Sequence, residues 1–277
     1  MRANSETSPE ELVSVLQRNL TRVQDRIAAA VAEVAAGAAD GRPVVAPEIV
    51  AVTKTVPPTV AMALANLMAG PKDGLKDGPS SLAENRSDHF AEAVEAFKSA
   101  GQAASWHFIG HIQRNKARRI LERSHVVHSI DSLRLAGTVA RLADELERDI
   151  DVFVEVNLTE ETEKYGLLAA GVPDVLEALG TSSRVRIRGL MAMGPARGLR
   201  EVDDVFRDVA ALARQLESTH VDSFSDGHCL LSMGMSGDLE AAIRHGSSFV
   251  RIGSALFEDV PRALPPTTPP TPQGPPS

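Results

Sequence analysis

The 277-residue sequence has one cysteine, Cys229, one tryptophan and one tyrosine. A single thiol forms no intrachain disulfide and no cysteine-based zinc cluster, so a reducing compartment is the simplest setting. No stretch approaches the roughly 20 consecutive apolar residues of a membrane span, and the first ten residues carry charge without an apolar leader core. A cytoplasmic protein is expected. Neither a G-x-G-x-x-G turn nor a Walker sequence is present, which sets aside the usual nucleotide-binding signatures. The formal net charge of −8 works against nucleic acid or an anionic membrane as partner, because such surfaces repel an acidic protein. A small anionic ligand in a local basic pocket stays compatible with that charge. Aromatic residues make up only 4% of the chain and form no sticky stripe, which fits a monomer or a weak dimer.

What is present is enough apolar sequence for a real core, 43% of residues against 24% charged, distributed in a regular alternation. Residues 1–8 read as a disordered N-terminus, residues 9–260 as one folded domain, and residues 261–277, mostly Pro, Thr and Gly, as a disordered tail. Ser8-Pro9-Glu10-Glu11 looks like a helix start with Ser8 as N-cap and Glu11 at the capping-box position, leading a helix to about Ala36. The run Ile49-Val50-Ala51-Val52-Thr53 predicts a strand that ends at Lys54 and is stopped by Pro57-Pro58. From there helices and strands alternate. Helices are expected over Thr59 to Met68, Asp88 to Ser99, Arg114 to Glu122, Ser132 to Glu147 with Asp131 as N-cap, Pro173 to Leu179, Arg200 to Glu217 and Asp238 to Arg244. Strands are expected at Ser81 to Ala83, Trp106 to Ile109, Val126 to Ile130, Asp151 to Asn157, Val185 to Met191, Cys229 to Leu231 and Phe249 to Ile252. Eight strands separated by helices predict a single (β/α)8 barrel rather than an open doubly wound sheet.

In such a barrel, functional residues sit where strands end and the following loops begin, and Lys54 occupies that position on the first strand. Flanked by Val52, Thr53 and Val56, its amine is expected to be partly desolvated, which favours the free base and imine formation. The plain alternative is a strand-end lysine reaching into solvent. At the other end of the chain, Leu231-Ser232-Met233-Gly234-Met235-Ser236-Gly237-Asp238 offers small residues and a helix start to an anion. The eighth strand then ends as Val250-Arg251-Ile252-Gly253-Ser254. Loops after strands seven and eight are the usual barrel phosphate site, and alternation turns Arg251 inward together with Gly253. Ordinary Gly/Ser turns and an arginine paired with a core carboxylate are the plain alternative.

The segments Ala51 to Lys54, Ala83 to Arg86, Trp106 to Gly110, Gln113 to Lys116, Arg188 to Met191, Leu231 to Ser236 and Val250 to Gly253 together resemble the pyridoxal-phosphate homeostasis protein family, in that family's order. The resemblance covers roughly Ile49 to Phe257. It implies a barrel of the alanine-racemase N-terminal domain type, with an extra N-terminal helix. It implies pyridoxal 5'-phosphate held as a Schiff base on Lys54, its phosphate on Ser236, Gly253 and Ser254. Arg251 would face the pyridine nitrogen, and Asn85, His107, Met191, Ser232 and Met235 would complete the pocket. A guanidinium accepts no proton, so the cofactor would be a weaker electron sink. Two departures bear on how Asn85 packs: Ala83 stands where the family has glycine, and residues 71–79 form a polar insertion.

A racemase of this type needs a second acid/base, commonly a tyrosine from an additional β-domain and a partner subunit. Here the sole tyrosine, Tyr165, lies in the loop after the fifth strand, and a Pro-rich segment follows the eighth. The expectation is therefore a non-catalytic cofactor-binding protein that serves pyridoxal-phosphate homeostasis, with apo-enzymes needing the cofactor as its partners. Two enzymatic readings stand beside it. One is a pyridoxal-phosphate racemase or aldolase using Lys54 with Tyr165 or a loop histidine. The other is a sugar-phosphate isomerase without the cofactor, whose paired carboxylates are not evident. His107 and His111 do not share a helical face, which argues against a metal site. The basic run Arg114 to Arg119 reads as a solvated helix face, Glu160, Glu161 and Glu163 as a solvated acidic loop, and Cys229 as core packing.

Overall fold

The structure is a computed structural model that describes residues 8–37, 44–69, 79–196, 200–225 and 227–260. The expected tail 261–277, residues 1–7 and most of the polar insertion lie outside the described residues.

The chain opens with α1 (Pro9–Gly37), entered through the expected cap, in which Glu11 N–H donates to Ser8 Oγ at 3.2 Å. There follow β1 (Glu48–Val52), α2 (Pro58–Met68), β2 (Ser81–Glu84), α3 (Ser87–Ser99) and β3 (Ser105–Phe108). A 3-10 turn (Arg114–Lys116) runs into α4 (Ala117–Leu121), then come β4 (Val126–Ile130), α5 (Leu133–Glu145), β5 (Ile150–Val156) and α6 (Val172–Leu179). The last elements are β6 (Val185–Ala192), α7 (Val202–Thr219), β7 (Leu230–Ser232), α8 (Leu239–Arg244) and β8 (Phe249–Ile252). All eight strands are parallel and close into one barrel in sequence order, β8 pairing back onto β1.

The expected N-terminal helix is present and takes a place in the ring of helices. Among the described residues no helix follows β8, and α1 packs between α8 and α2 in the slot an eighth crossover helix would fill. Its buried face, Leu12, Leu16, Leu20, Val23, Ile27 and Ala30, recurs at helical spacing and joins the apolar layer between helices and strands. Truncating one such residue, Leu16→Ala for instance, would cost about 2–5 kcal/mol.

Local hydrogen bonding moves some boundaries. Ser132, not Asp131, caps α5, because its Oγ accepts from Leu135 N–H, while Asp131 is turned to His111. The strand expected at Cys229 begins one residue later, because Cys229 N–H is taken by the Glu217 carboxylate at 2.8 Å. Two irregularities shape the interior. In β6, Gly189 has φ +153°, and a Cβ there would lie 1.9 Å from Leu230 O, so only glycine lets β6 run this close to β7. In β4 the register against β5 shifts between Val127 and Ile130. That bulge leaves both residues in the outer apolar layer while His128, between them, turns into the barrel.

Candidate functional site

Inside the barrel Val50, Val52 and Ala83 form a small apolar group with Ile109 and Phe249 packed against it, and buried Phe153 lies against the rings of His128 and Phe249. Polar side chains fill much of the rest. Arg251 on β8 is buried and points inward as the alternation predicts. Its Nη1 donates to Ser232 O at 2.6 Å and Ser232 Oγ at 2.8 Å, and its Nη2 donates to Ala192 O at 2.9 Å. Ser232 Oγ lies 2.8 Å from His128 Nδ1, and His128 Nε2 lies 2.8 Å from His107 Nδ1. Arginine only donates, so Ser232 accepts from it and has its own proton left for His128 Nδ1. His128 Nε2–H then donates to His107, whose Nε2–H faces Ser105 Oγ at 3.4 Å. With both imidazoles neutral, the protons passed along from Ser232 through His128 and His107 to Ser105 each meet an acceptor. Burial imposes that state, holding His107 down to about 3 and His128 well below its ordinary value. Burial also lowers Arg251 to about 10, which still leaves it charged at neutral pH.

Above Arg251 the loops after β7 and β8 are tied to each other: Arg251 N–H donates to Gly234 O at 2.9 Å, and Ala255 N–H to Ser236 Oγ at 3.3 Å. Met235 N–H donates to Asp238 Oδ1 at 2.5 Å. Among the described residues, nothing accepts from the backbone N–H groups of Ser236, Gly237 and Ser254. Gly253 lies against β1, where an added Cβ would be 3.3 Å from Val52 O and 3.4 Å from Val52 Cβ. Unpaired N–H groups on two joined turns over a buried cation form an anion cradle. The expected contribution from the helix start is small, because α8 spans only Leu239–Arg244 and Asp238 stands at its entry.

Across the mouth, β1 ends at Val52 and Thr53 is pinned to β2: its N–H donates to Ala83 O at 3.0 Å and its Oγ1 to Glu84 Oε1 at 2.5 Å. Lys54 occupies the turn that follows and is exposed, not partly desolvated as its chain neighbours suggest. The reason is directional: Thr53 turns inward to Glu84, and Lys54 is carried out to the rim. Burial pushes the Glu84 carboxyl up, while the Thr53 hydroxyl, His89 and the Lys54 ammonium draw it down. Ala83, fully buried in the inner apolar group, is accommodated where the family has glycine. Asn85 is half-buried beside it, its Oδ1 shielded from solvent and without a hydrogen-bond partner. Gly110 permits this packing, since a Cβ there would fall 2.0 Å from Asn85 O.

A sequence model of the alanine racemase N-terminal domain matches residues 13–261. The pyridoxal phosphate homeostasis protein of Escherichia coli K12 is 34% identical over 187 residues, 65% of this chain and 76% of that protein. The chain belongs to the pyridoxal phosphate homeostasis protein family. The Pseudomonas aeruginosa protein of that name is 40% identical over 153 residues, 55% of this chain and 64% of its own. Among solved structures, PipY of Synechococcus elongatus with pyridoxal phosphate bound superimposes with a TM-score of 0.69 at 25% identity, covering 87% of this chain and 99% of PipY. Alanine racemase of Clostridium difficile, with a TM-score of 0.55 at 16% identity over 76% of this chain and 52% of its own, shares the fold.

Within this family member, the ten residues singled out from the sequence divide into connected groups. Ser232, Arg251 and His107 are joined through His128; Ser236, Gly253 and Ser254 belong to the linked turns; Lys54 and Asn85 follow neighbouring strands. Met191 is buried on β6 in register with Ser232 and with Glu155, and Met235 is half-buried in the β7 turn. Sequence reasoning missed His128, Glu155 and Arg26. A histidine inside a β-branched strand was the available signal for the first. Glu155 is a buried carboxyl raised to about 7 by burial and by Asp131, against the pull of Arg251.

Tyr165 is exposed and stacks on His111, ring centroids 3.9 Å apart, and His111 Nδ1 lies 2.7 Å from Asp131 Oδ2. Two cations of the basic helix, Arg118 and Arg119, pair with Glu145 and Asp88. Glu161 is buried and paired with Lys164 at 2.8 Å, so it is not the solvated residue the loop suggests. Burial holds the Cys229 thiol up to about 12. Among the described residues no group of His, Cys, Asp or Glu is arranged to hold a metal ion, and no helix is long and apolar enough to cross a membrane.

Proposed function

We propose that this protein binds pyridoxal 5'-phosphate, joined covalently to Lys54, and works in the cytoplasm as a non-catalytic holder that passes the cofactor to apo-enzymes. The observation that carries the reading is the pair of bridged turns, with the unpaired N–H groups of Ser236, Gly237 and Ser254 over buried Arg251, on the same mouth as Lys54. The names of the relatives and the bound cofactor in PipY support it. When bound, the cofactor supplies an aldehyde for the lysine and an electron-withdrawing ring.

The protein's own groups do the rest. Ser236, Gly253 and Ser254 hold the phosphate, and Asn85, with its orphaned Oδ1, offers an acceptor toward the ring side. His107, Met191, Ser232 and Met235 shape and support the pocket. Arg251, held by Ser232 and Ala192, presents a donor that accepts no proton, so a ring nitrogen facing it stays unprotonated. That weakens the ring as an electron sink and favours holding over catalysis.

Borohydride reduction of the cofactor-saturated protein followed by peptide mapping tests the attachment. The adduct is expected on the peptide containing Lys54, and an unmodified Lys54 would overturn the reading. Incubating the loaded protein with amino acids and an apo-enzyme tests the holder role. Transfer without racemisation is expected; rapid stereospecific racemisation, or no transfer, would count against it.

A further inference from the structure

The N-terminal helix reaches both anion turns through side chains outside the cofactor pocket. Arg26 Nη1 and Nη2 each donate to Ser236 O at 3.1 Å, while Nε and Nη2 fork onto the two oxygens of Glu240 at 2.7 and 2.9 Å. Asn19, on the otherwise apolar face of α1, is 1% exposed and donates to Leu256 O at 3.2 Å and Glu258 O at 2.8 Å. Arg22 pairs with Glu258.

These bonds bear on the direction of the free N–H groups. The carbonyl of Ser236 and the N–H of Gly237 belong to one planar trans peptide, so they point in opposite directions. Drawing the carbonyl toward α1 aims the Gly237 N–H away from it. The same holds in the β8 turn, where Gly253 O accepts from Leu256 N–H at 3.1 Å and Phe257 N–H at 3.2 Å. That fixes the peptide whose other end is the Ser254 N–H, and Asn19 holds the far side of the turn. A partly exposed ion pair between Arg26 and Glu240 would by itself be worth little. A buried amide at Asn19 is costly unless its donors find acceptors, and here both acceptors lie in the β8 turn.

We propose that α1 is the orienting element of the anion turns, with Arg26 and Asn19 as positioning residues that set how long a phosphate group is retained. This rests on the reading of the turns as the phosphate site. The test compares wild type, Arg26→Met, Arg26→Lys and Asn19→Leu, following release of pyridoxal 5'-phosphate and of pyridoxal, which lacks the phosphate, by absorbance of the bound chromophore. Thermal stabilisation of the cofactor-free protein by inorganic phosphate serves as a second readout. Arg26→Met is expected to release the phosphorylated form about fivefold to tenfold faster, the worth of roughly one hydrogen bond, to leave pyridoxal release unchanged, and to lose most of the phosphate stabilisation. Arg26→Lys should recover part of the loss, and Asn19→Leu should act in the same direction as Arg26→Met. Equal acceleration of both ligands in Arg26→Met, or of neither, would overturn the proposal. A wild-type protein that discriminates neither ligand and ignores phosphate would instead remove the phosphate-site reading beneath it.

Discussion

The two sides of the barrel mouth are built differently. Around β7 and β8 three side chains are engaged, Arg251 by Ser232 and Ala192, Ser236 by Ala255 and Asp238 by Met235, with α1 bracing the turns from behind. Around β1 and β2 three shielded polar atoms, Glu84 Oε2, Asn85 Oδ1 and His89 Nδ1, lack an aligned partner. Glu84 and His89 come within 3.0 Å, near enough to share charge but not directed as a hydrogen bond. An unmet buried polar atom costs about 1–3 kcal/mol, and Asn85 Oδ1 bears such a cost beside the strand that leads to Lys54. On the proposed function, the first half holds the phosphate and the second carries the lysine with polar groups around it.

The sharpest way to break that division is to remove the lysine alone. Lys54→Ala should abolish the borohydride-fixed adduct while changing inorganic phosphate affinity by no more than about twofold, since the β7–β8 side keeps its own bonds. Adduct mass recovered in comparable yield on another lysine, or a collapse of phosphate binding, would show that the two sides are not separable.

The floor that joins the halves is the next place to press. His128→Leu strips His107 and Ser232 of a partner and should destabilise the fold by about 1–3 kcal/mol in urea unfolding. The double variant His107→Leu with His128→Leu removes both ends of one bond, and its cost should fall short of the sum of the single variants by at least about 0.5 kcal/mol. Strict additivity would mean that the two rings are merely packed.

Much of this was legible before the structure, for a physical reason. Alternating apolar periods report local geometry, so the barrel, the strand at Val50, the Ser8 cap and the inward turn of Arg251 could be read from short windows. What escaped depends on long-range partners. His128 meets Ser232 across 104 residues, and Arg26 meets Ser236 across 210; neither bond leaves a trace in its own neighbourhood. The exposure of Lys54 was not legible because Val52 and Val56 are apolar in sequence, whereas the turn at Thr53 carries the lysine away from them. The place of α1 in the ring was hidden for the same reason, since a helix period names no neighbour.

Acid and base titration separates the floor's members. His107 and His128, neutral in the fold, return to about 6.5 when unfolded, so below that pH the unfolded chain binds more protons. Their contribution is complete above about pH 6.5 and falls by about 1.4 kcal/mol per pH unit for each ring as the medium becomes more acid. Glu155 runs the other way. Raised from 4.5 to about 7, it favours the fold fully below pH 4.5, and that contribution disappears as pH rises through 7. Glu155→Gln should therefore be more stable than wild type at pH 8, by up to about 3 kcal/mol, with the advantage shrinking toward pH 5. A difference that does not vary with pH would place the Glu155 carboxyl outside this balance.

The smallest expected effect tests whether the rim hides a second acid/base. Tyr165 is 59% exposed and its ring lies flat on His111, so its stacking surface, not its hydroxyl, makes the contact seen. Tyr165→Phe keeps that surface and deletes only the hydroxyl. If the protein holds the cofactor without proton chemistry, the change should leave stability within about 0.5 kcal/mol and should alter neither cofactor release nor solvent-deuterium exchange at an amino acid's α-carbon. If Tyr165 instead donates or removes a proton, wild type would show α-carbon exchange that the variant loses. The hydroxyl would then belong to the reactive half of the mouth, and the contrast between a holding side and a lysine side would become one between a holding side and a catalytic pair.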